Sequence, residues 1–483
     1  MHKRFSILLI ACVLVGFSLR VWRIADFPSG SNQDELLRAY DAYSLVVTGK
    51  DHRGNPWPLY FAGFSIERDN SPPLFTYATI PLVALLGPTV VAVRFTAAFL
   101  GALTIASIAL LVLAVTDNKR LTLAAAGLIA FSPWHIFLSR FGNEFVTEPL
   151  FFALAPGLLV WGLRRRSTVV LALSAVAFAL GLYAYSPLRL LLPIAGVTVL
   201  MFYRRDAATF GWKLLLPAIV FITLIFPAAS YYLPGPTMGR FREVSIVSQT
   251  PYWPAYVLAG VLGHASPLML QYFVVFEAFL LAAGVVIGRK SFTKWHFFGC
   301  LSVCAVIASA LTVPTPHFGR SSALIVPAAA FMAFGAGALL RAYRKLPRIR
   351  RQLSVVAAVI VLFASFAEIP ALAYEQHIMF VVGLDDLIRA AAQRDERRIV
   401  ITTSGVQQPY IHVLSALQVQ PEELHLERKM MPNGWEHVSI FDRWAFCKPE
   451  ECAVAGDLAI VRKAESTNHQ VLQSKGVFEL VRW

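Results

Sequence analysis

Long apolar runs are the feature that most limits what this chain can fold into. Three of them, at residues 97–115, 268–287 and 354–373, approach the ~20 residues that cross a bilayer as an α-helix. The 483 residues are 57% hydrophobic and only 15% charged, whereas soluble domains have about 25% charged residues. The sequence therefore predicts a polytopic α-helical membrane protein.

The N-terminal run is the first predicted span. A basic cluster at residues 2–4 precedes the apolar run 5–19, as in a signal peptide, but no small-residue cleavage site follows. We therefore expect an uncleaved helix. The eleven predicted spans lie near residues 5–24, 91–115, 121–139, 146–163, 168–185, 187–203, 213–232, 266–288, 295–313, 321–340 and 353–373.

Basic clusters indicate the topology of these spans. They occur near residues 2–4, 119–120, 164–166, 204–213, 289–294 and 341–351, and positively charged loops stay in the cytoplasm. The apolar segment 74–86 is too short for a crossing, so we expect it to lie at the membrane interface within a first outer loop, 25–90. Shorter outer loops are expected near 141–147, 186, 234–265 and 314–319, and the tail is expected outside the cytoplasm.

The positive charge of the chain belongs to its membrane half. Up to Tyr374 there are 31 lysines and arginines against 14 acids, whereas the tail from Glu375 has 12 against 15. Loop asymmetry explains this excess, so the sequence does not favour a nucleic-acid partner.

The tail predicts a small soluble α/β domain at residues 375–483, following a transmembrane domain at 1–374. Strands are expected at 398–402, 458–461 and 477–481, and helices at 385–394 and 409–417. Cys447 and Cys452 could form a disulfide in an oxidising compartment or could remain free thiols.

The predicted outer loops contain three acids of interest. Asp34 and Glu35 precede an amphipathic pattern, so they are expected in the first turn of a helix. They could simply stabilise the helix N-terminus, or one could act as a general base. Glu144, with Glu148 four residues later, could mark the interface or line a cavity. Paired acids such as Glu35 and Glu144 could also hold a divalent cation.

Cationic side chains are expected on the same side of the membrane. Arg140, Arg189, and His317 with Arg320 each lie near an outer helix end. Each arginine alone could be a snorkelling interface residue, but several together would suit a lipid phosphate. The sequence lacks HExxH, GxSxG, P-loop and CxxC motifs, which disfavours protease, hydrolase and ATPase functions.

These loops resemble those of bacterial GT-C membrane glycosyltransferases of the protein O-mannosyltransferase and aminoarabinose-transferase superfamily. The resemblance covers about residues 5–340. It rests on Asp34-Glu35 followed by TGKDHRGNPWPLYF, and on NSPPLFTY (70–77), SPWHIFLSRFGNE (132–144), YAYSPLRLLLP (183–193) and PHFGR (316–320).

The resemblance implies an inverting transferase at the bacterial inner membrane. It would move a hexosyl or pentosyl group from a polyprenyl-phosphate carrier to an extracytoplasmic glycan, lipid or protein. Asp34 would be the catalytic base, and Glu35 and Glu144 would orient substrate or a metal ion. The remaining candidates would contact the lipid phosphate or sugar: Arg140, Tyr183, Tyr185, Arg189, His317 and Arg320. Ser71 stands where relatives often carry lysine, so the donor contacts and the sugar could differ.

Two other functions suit the same pattern. A transporter would place ionisable residues near mid-bilayer, where Glu277 and Glu368 are the candidates, and usually has repeated halves, which we do not find. A membrane-anchored assembly protein would bind its partners through the tail and would not need the loop acids.

Overall fold

The computed structural model describes residues 2–65, 69–232, 244–264, 275–288, 292–345 and 380–483, with gaps at 425, 427, 432–434 and 468. Between 346 and 379 it describes only residues 347, 349 and 352. The predicted span 353–373, the start of the span 266–288, Glu368 and the predicted domain boundary at 374/375 therefore lie outside the described residues.

Most of the described chain is helical, as apolar runs in a membrane protein require. The helices are α1 His2–Val21, α2 Gln33–Thr48, α3 Leu74–Leu86, α4 Val90–Thr116, α5 Lys119–Phe131, α6 Pro133–Leu138, α7 Thr147–Arg165, α8 Thr168–Leu182, α9 Leu188–Phe202, α10 Arg204–Ala208, α11 Leu215–Tyr232, α12 Ile246–Gln249, α13 Trp253–His264, α14 Val275–Gly288, α15 Phe292–Ala310, α16 Ile325–Arg344, α17 Leu384–Ala392, α18 Pro409–Ala416 and α19 Pro449–Cys452.

The strands are short. They are β1 Phe61–Ala62, β2 Asn70–Ser71, β3 Ile399–Ile401, β4 Arg428–Met430, β5 Glu436–Val438, β6 Ile440–Phe441, β7 Trp444–Phe446, β8 Leu458–Arg462, β9 Gln470–Lys475 and β10 Phe478–Arg482. Six form a mixed sheet in the order β6-β7-β3-β8-β10-β9, in which β3 runs parallel to β7 and to β8. The strands β1–β2 and β4–β5 form separate antiparallel pairs.

Five described helices are long and apolar enough to cross a membrane: Lys3–Val21, Val90–Thr116, Glu144–Arg165, Thr293–Ala310 and Ser322–Arg344. Five more apolar helices are shorter, among them the segment 74–86 that we expect at the interface. The chain is thus a multi-pass membrane protein. The exact number of eleven spans stays a prediction.

The predicted span 121–139 is not one helix, which corrects our expectation. Helix α5 ends at Phe131, Ser132 is extended, and α6 begins at Pro133, which has no backbone N–H to continue the ladder. The buried Arg20 donates to the carbonyl groups of Ile129 and Ala130, each at 3.1 Å. A cation thereby satisfies the last carbonyls of α5, which makes the break stable inside an apolar environment.

The chain divides into two compact units. Unit 1 comprises residues 1–22, 97–139 and 144–372, and unit 2 comprises 23–96, 140–143 and 373–483. Unit 1 contains α1, the part of α4 from residue 97 onward, and α5 to α16. Unit 2 combines the predicted first outer loop with the C-terminal α/β fold.

The core of unit 2 explains this combination. The apolar face of α2, with Leu36 and Leu37, belongs to the same buried cluster as Leu387 of α17 and Leu414 of α18. A smaller cluster on the sheet contains Val400, and Cys447 and Cys452 pack against it. These two cysteines are joined by a disulfide. Three of the strands and both longer helices of this fold overlap segments predicted from the sequence.

Candidate active site

Asp34 and Glu35 lie in the first turn of α2, in unit 2. Asn32 caps this helix: its side chain accepts a hydrogen bond from the backbone N–H of Asp34 at 2.8 Å, and its own N–H donates to Glu35 Oε2 at 3.3 Å. This reciprocal capping box fixes both acids at the positive end of the helix. Asp34 is half-buried, whereas Glu35 is fully buried.

Glu35 is held in an ion pair with Arg94, four residues into α4. Arg94 Nε lies 2.9 Å from Glu35 Oε1 and Nη2 lies 2.9 Å from Oε2, and both side chains are fully buried. The backbone N–H of Gly142 also donates to Oε1 at 2.9 Å. Both carboxylate oxygens of Glu35 are therefore used by protein donors, and a metal ion could bind there only after breaking this pair.

Arg94 and Arg140 organise the loop between α1 and α2. Arg94 donates to the carbonyl groups of Pro28 and Gly30, each at 2.7 Å. Arg140 donates to the carbonyl groups of Phe27 and Arg23, at 2.8 and 3.0 Å, and stacks on the Phe27 ring. Burial and the nearby charge of Arg94 lower the pKa of Arg140 to about 10. These contacts give Arg140 a structural part in the loop.

In unit 1, Phe145 is the point where several predicted site segments meet. Its ring centroid lies 5.4 Å from that of Tyr185, 5.9 Å from that of His317 and 5.6 Å from that of Phe318. Trp134 Nε1 also donates to the carbonyl of Phe318 at 3.2 Å. The SPWHIFLSRFGNE, YAYSPLRLLLP and PHFGR segments are thus brought together by edge-to-face aromatic contacts, although they are far apart in sequence.

The PHFGR loop is held in a defined shape. His317 Nδ1 accepts hydrogen bonds from the backbone N–H groups of Gly319, at 3.2 Å, and Arg320, at 3.3 Å. The neutral imidazole then carries its proton on Nε2. Arg320 Nη1 donates to the carbonyl of Val313 at 2.9 Å, and the side chain is half-buried.

Four more acidic, aromatic or basic candidates belong to unit 1. Glu144 is buried in the 3₁₀ turn Glu144–Val146, next to Phe145, and its carbonyl accepts from the Thr147 hydroxyl at 2.6 Å. Glu148 is fully buried and accepts a hydrogen bond from the Ser322 hydroxyl. Tyr183 donates to the carbonyl of Leu224 at 2.8 Å, and Arg189 is half-buried in the first turn of α9.

The sequence reasoning missed two residues that organise these segments. Arg94 could have been recognised from the sequence, because an arginine within a 27-residue apolar helix needs a partner. Phe145 could not have been recognised in this way, because one phenylalanine among 35 does not stand out before its neighbours are known. Within the described ranges, no three His, Cys, Asp or Glu side chains cluster closely enough to hold a metal ion.

The sequence matches no protein-family model and no curated protein. Solved structures do match. ArnT from Cupriavidus metallidurans in the apo state has a TM-score of 0.58 at 11% identity, over 99% of this chain and 98% of that protein. Its structure bound to undecaprenyl phosphate gives a TM-score of 0.53 at 11% identity, over 100% and 98%.

An archaeal protein matches as well. The Archaeoglobus fulgidus oligosaccharyltransferase AglB, in complex with an inhibitory peptide and a dolichol-phosphate, has a TM-score of 0.55 at 14% identity, over 85% of this chain. The chain spans 63% of the length of that protein. The chain therefore has the polytopic membrane fold, GT-C, that ArnT and AglB share.

Proposed function

We propose that this chain is an inverting glycosyltransferase that uses a polyprenyl-phosphate-linked sugar donor. The observation that carries the proposal is the end-to-end likeness to ArnT, over 99% of this chain and 98% of that protein. ArnT has been solved bound to undecaprenyl phosphate, and AglB with a dolichol-phosphate. Both ligands are isoprenoid phosphates, the class of carrier that the sequence resemblance also implies.

Asp34 is the proposed catalytic base. It would take the proton of an acceptor hydroxyl while that oxygen bonds to the anomeric carbon, and the bond from this carbon to the phosphate oxygen would break with inversion. Its half-buried position at a helix N-terminus supports this role, because the side chain can reach solvent while the neighbouring Glu35 is committed to Arg94. Glu35 then acts as a positioning residue that anchors the first turn of α2.

Unit 1 supplies the proposed phosphate contacts. Arg320, His317 and Arg189 are the candidates, because a phosphate that leaves with growing negative charge is stabilised by fixed cations and N–H donors. The loop hydrogen bonds of His317 Nδ1 support this proposal, since they orient its Nε2–H. Glu144, Tyr183 and Tyr185 remain proposed contacts to the sugar, and Arg140 a weaker phosphate candidate given its backbone partners.

An apolar cavity in unit 1 supports a lipid-linked donor. It measures about 430 Å³ and lies between α7, α8, α9 and α11, where Phe178, Leu182, Leu200 and Phe221 contribute to its wall. Its walls are almost entirely hydrocarbon, as an isoprenoid chain requires.

The proposed location is the bacterial inner membrane, with the acids and the tail on the extracytoplasmic side. The Cys447–Cys452 disulfide supports this orientation, because such bonds persist in oxidising compartments. The sugar would be a hexose or pentose, and the acceptor an envelope glycan, lipid or protein.

The test is donor turnover by the purified protein. The full chain in detergent is mixed with undecaprenyl-phosphate hexoses and pentoses and an envelope extract from the source cells, and free undecaprenyl phosphate is followed by mass spectrometry. We expect release from at least one donor, and a chelator arm decides whether a divalent cation takes part. No release from any donor in the presence of the extract would contradict the proposal.

A further inference from the structure

A buried Asp–His pair lies in unit 2, outside the proposed transfer residues. Asp41 Oδ1 accepts from the backbone N–H of His52 at 3.1 Å and from its Nδ1 at 2.6 Å, and both side chains are fully buried. Because a carboxylate can only accept, the shared proton belongs to Nδ1, and Nε2 is the ring nitrogen left to hydrogen-bond elsewhere. Nε2 has no hydrogen-bond partner within the described part of the chain.

His52 lines a polar pocket of about 520 Å³. The lining comes from the last turns of α2, from the turn after it and from residues between 421 and the start of β4: Ser44, Thr48, Lys50, Asp51, His52, Arg53, Gly54, Pro421, Glu422, Leu424, Leu426 and Arg428. The Ser44 hydroxyl is also buried and finds no hydrogen-bond partner among the residues described. Two buried polar groups at one pocket, each with a hydrogen bond unmade, point to a polar ligand, because leaving such groups unpaired is costly.

The charges of the pocket favour an anion. Arg53 is already used, since it donates to both carboxylate oxygens of Glu436, at 3.3 and 2.9 Å. Arg428 forms only a long ion pair: its Nε lies 3.9 Å from Glu436 Oε2, beyond hydrogen-bond length, and Nε has no hydrogen-bond partner in the described ranges. Burial and the charge of Arg53 lower the pKa of Arg428, so an additional anion beside it would be stabilised.

The acids of the pocket limit how much negative charge it accepts. Asp51 is occupied by the N–H groups of Arg53 and Asn55 and by the Asn55 amide, at 2.8 to 2.9 Å. Glu422 is exposed at the rim. Lys50 and Arg428 are therefore the two cations of the lining that an anionic group can contact, and the charges of Asp51 and Glu422 disfavour a ligand with more than one negative charge.

We propose that this pocket binds a saccharide unit that carries one anionic group, a phosphate or a carboxylate. The anionic group contacts Arg428 and Lys50, and hydroxyl groups of the sugar hydrogen-bond with His52 Nε2 and with the Ser44 hydroxyl. The volume lies within the ~300–1,000 Å³ of small-molecule sites. The inference does not depend on the proposed transferase reaction.

The test is calorimetric titration of the full-length protein in detergent with four probes: glucuronate, glucose 6-phosphate, glucose and inorganic phosphate. We expect at least one of the two charged sugars to bind roughly 10-fold more tightly than glucose and than phosphate, since a charge-assisted hydrogen bond adds to the hydroxyl contacts. Binding of neither charged sugar, or equal binding of glucose or phosphate, would overturn the proposal.

Single substitutions test the proposed contacts of the ligand with Arg428 and Ser44. Arg428→Gln should weaken binding of the charged sugar by about 10-fold or more, whereas Lys429→Gln, which removes a neighbouring exposed charge on β4, should not. Ser44→Ala removes one hydroxyl only and should weaken binding about threefold or more even if the arginine variant does not fold. Unchanged affinity in a folded Arg428→Gln or in Ser44→Ala would contradict the assigned contacts.

Discussion

Glu35 and Arg94 form a buried ion pair with two hydrogen bonds of 2.9 Å, while Asp34, one residue earlier in the chain, stays half-buried. Adjacent positions in a helix point about 100° apart, so one acid can face the core and the other can face away from it. A buried ion pair is costly to break. Its carboxylate is held by protein donors and is therefore poorly placed to take a proton from a substrate. The relationship gives Glu35 an anchoring part in the fold and agrees with the proposal that Asp34, not Glu35, is the base.

Replacing Glu35 should therefore cost stability. In Glu35→Gln, Arg94 would remain as an uncompensated buried cation, and we expect a loss of about 3 kcal/mol or more. Thermal unfolding in detergent, followed by tryptophan fluorescence, measures this loss. Asp34→Asn is the matched control and should unfold within about 0.5 kcal/mol of the wild type; equal stability of both variants would contradict the anchoring role.

Gly319 should tolerate no side chain beside Phe145. A Cβ at this position would lie 2.7 Å from the Phe145 ring, so Gly319→Ala must displace the ring around which the aromatic cluster forms. We expect a loss of roughly 1–3 kcal/mol. Gly127→Ala, in a helix position with open space, should be neutral or stabilising. A double variant with Phe145→Leu should lose less than the sum of the two single changes, and strict additivity would argue against this contact.

Asp385 should make the stability of unit 2 depend on pH. Burial alone would raise the pKa of Asp385, but the hydrogen bond and charge of His412 and the hydrogen bond from Ser31 hold it below its usual value. A folded pKa below the unfolded one gives stability that is complete above pH about 4 and is lost as pH falls through the folded value.

The measurement is the stability difference between wild type and Asp385→Asn at pH 7 and at pH 3.5. We expect the difference to shrink at the lower pH. Asp386→Asn, next along α17 and about half exposed, should show little difference at either pH. A stability difference between wild type and Asp385→Asn that is the same at both pH values would contradict a contribution of the Asp385 carboxylate to the pH dependence of stability.

The disulfide provides a test of orientation. Cys447 and Cys452 are five residues apart, and closing so short a loop stabilises the fold by about 2 kcal/mol in the chain-entropy description. After mild reduction of intact cells from which the outer envelope has been removed, a membrane-impermeant maleimide should label both thiols. Labelling that needs cell lysis would contradict an extracytoplasmic tail.

The elements of the fold follow largely from local patterns. The apolar runs and charged ends bounded most helices of unit 1, and alternation in the tail marked β3, β8 and β10. The break after Phe131 was not foreseen, because its stability depends on Arg20, more than one hundred residues earlier in the chain. Pro133 was the local signal for that break.

The sequence suggests candidate site residues but does not show which of them hold the fold together. Asp34 and Glu35 look alike in sequence, and only the structure shows that Glu35 is paired with Arg94, 59 residues away. Arg140 likewise resembled a phosphate ligand until its carbonyl partners were known. The convergence on Phe145 depends on contacts between helices, and no local pattern encodes it.

The most direct test of the central claim is the rate at which Asp34→Asn releases free undecaprenyl phosphate from a donor that the wild type uses. Asp26→Asn is the control, since Asp26 is an exposed acid of the same loop, paired with Arg23. Loss of a general base predicts a rate about 10²–10⁴-fold below wild type for Asp34→Asn, with Asp26→Asn unchanged. Release by a folded Asp34→Asn at the wild-type rate would contradict the assignment of Asp34 as the base.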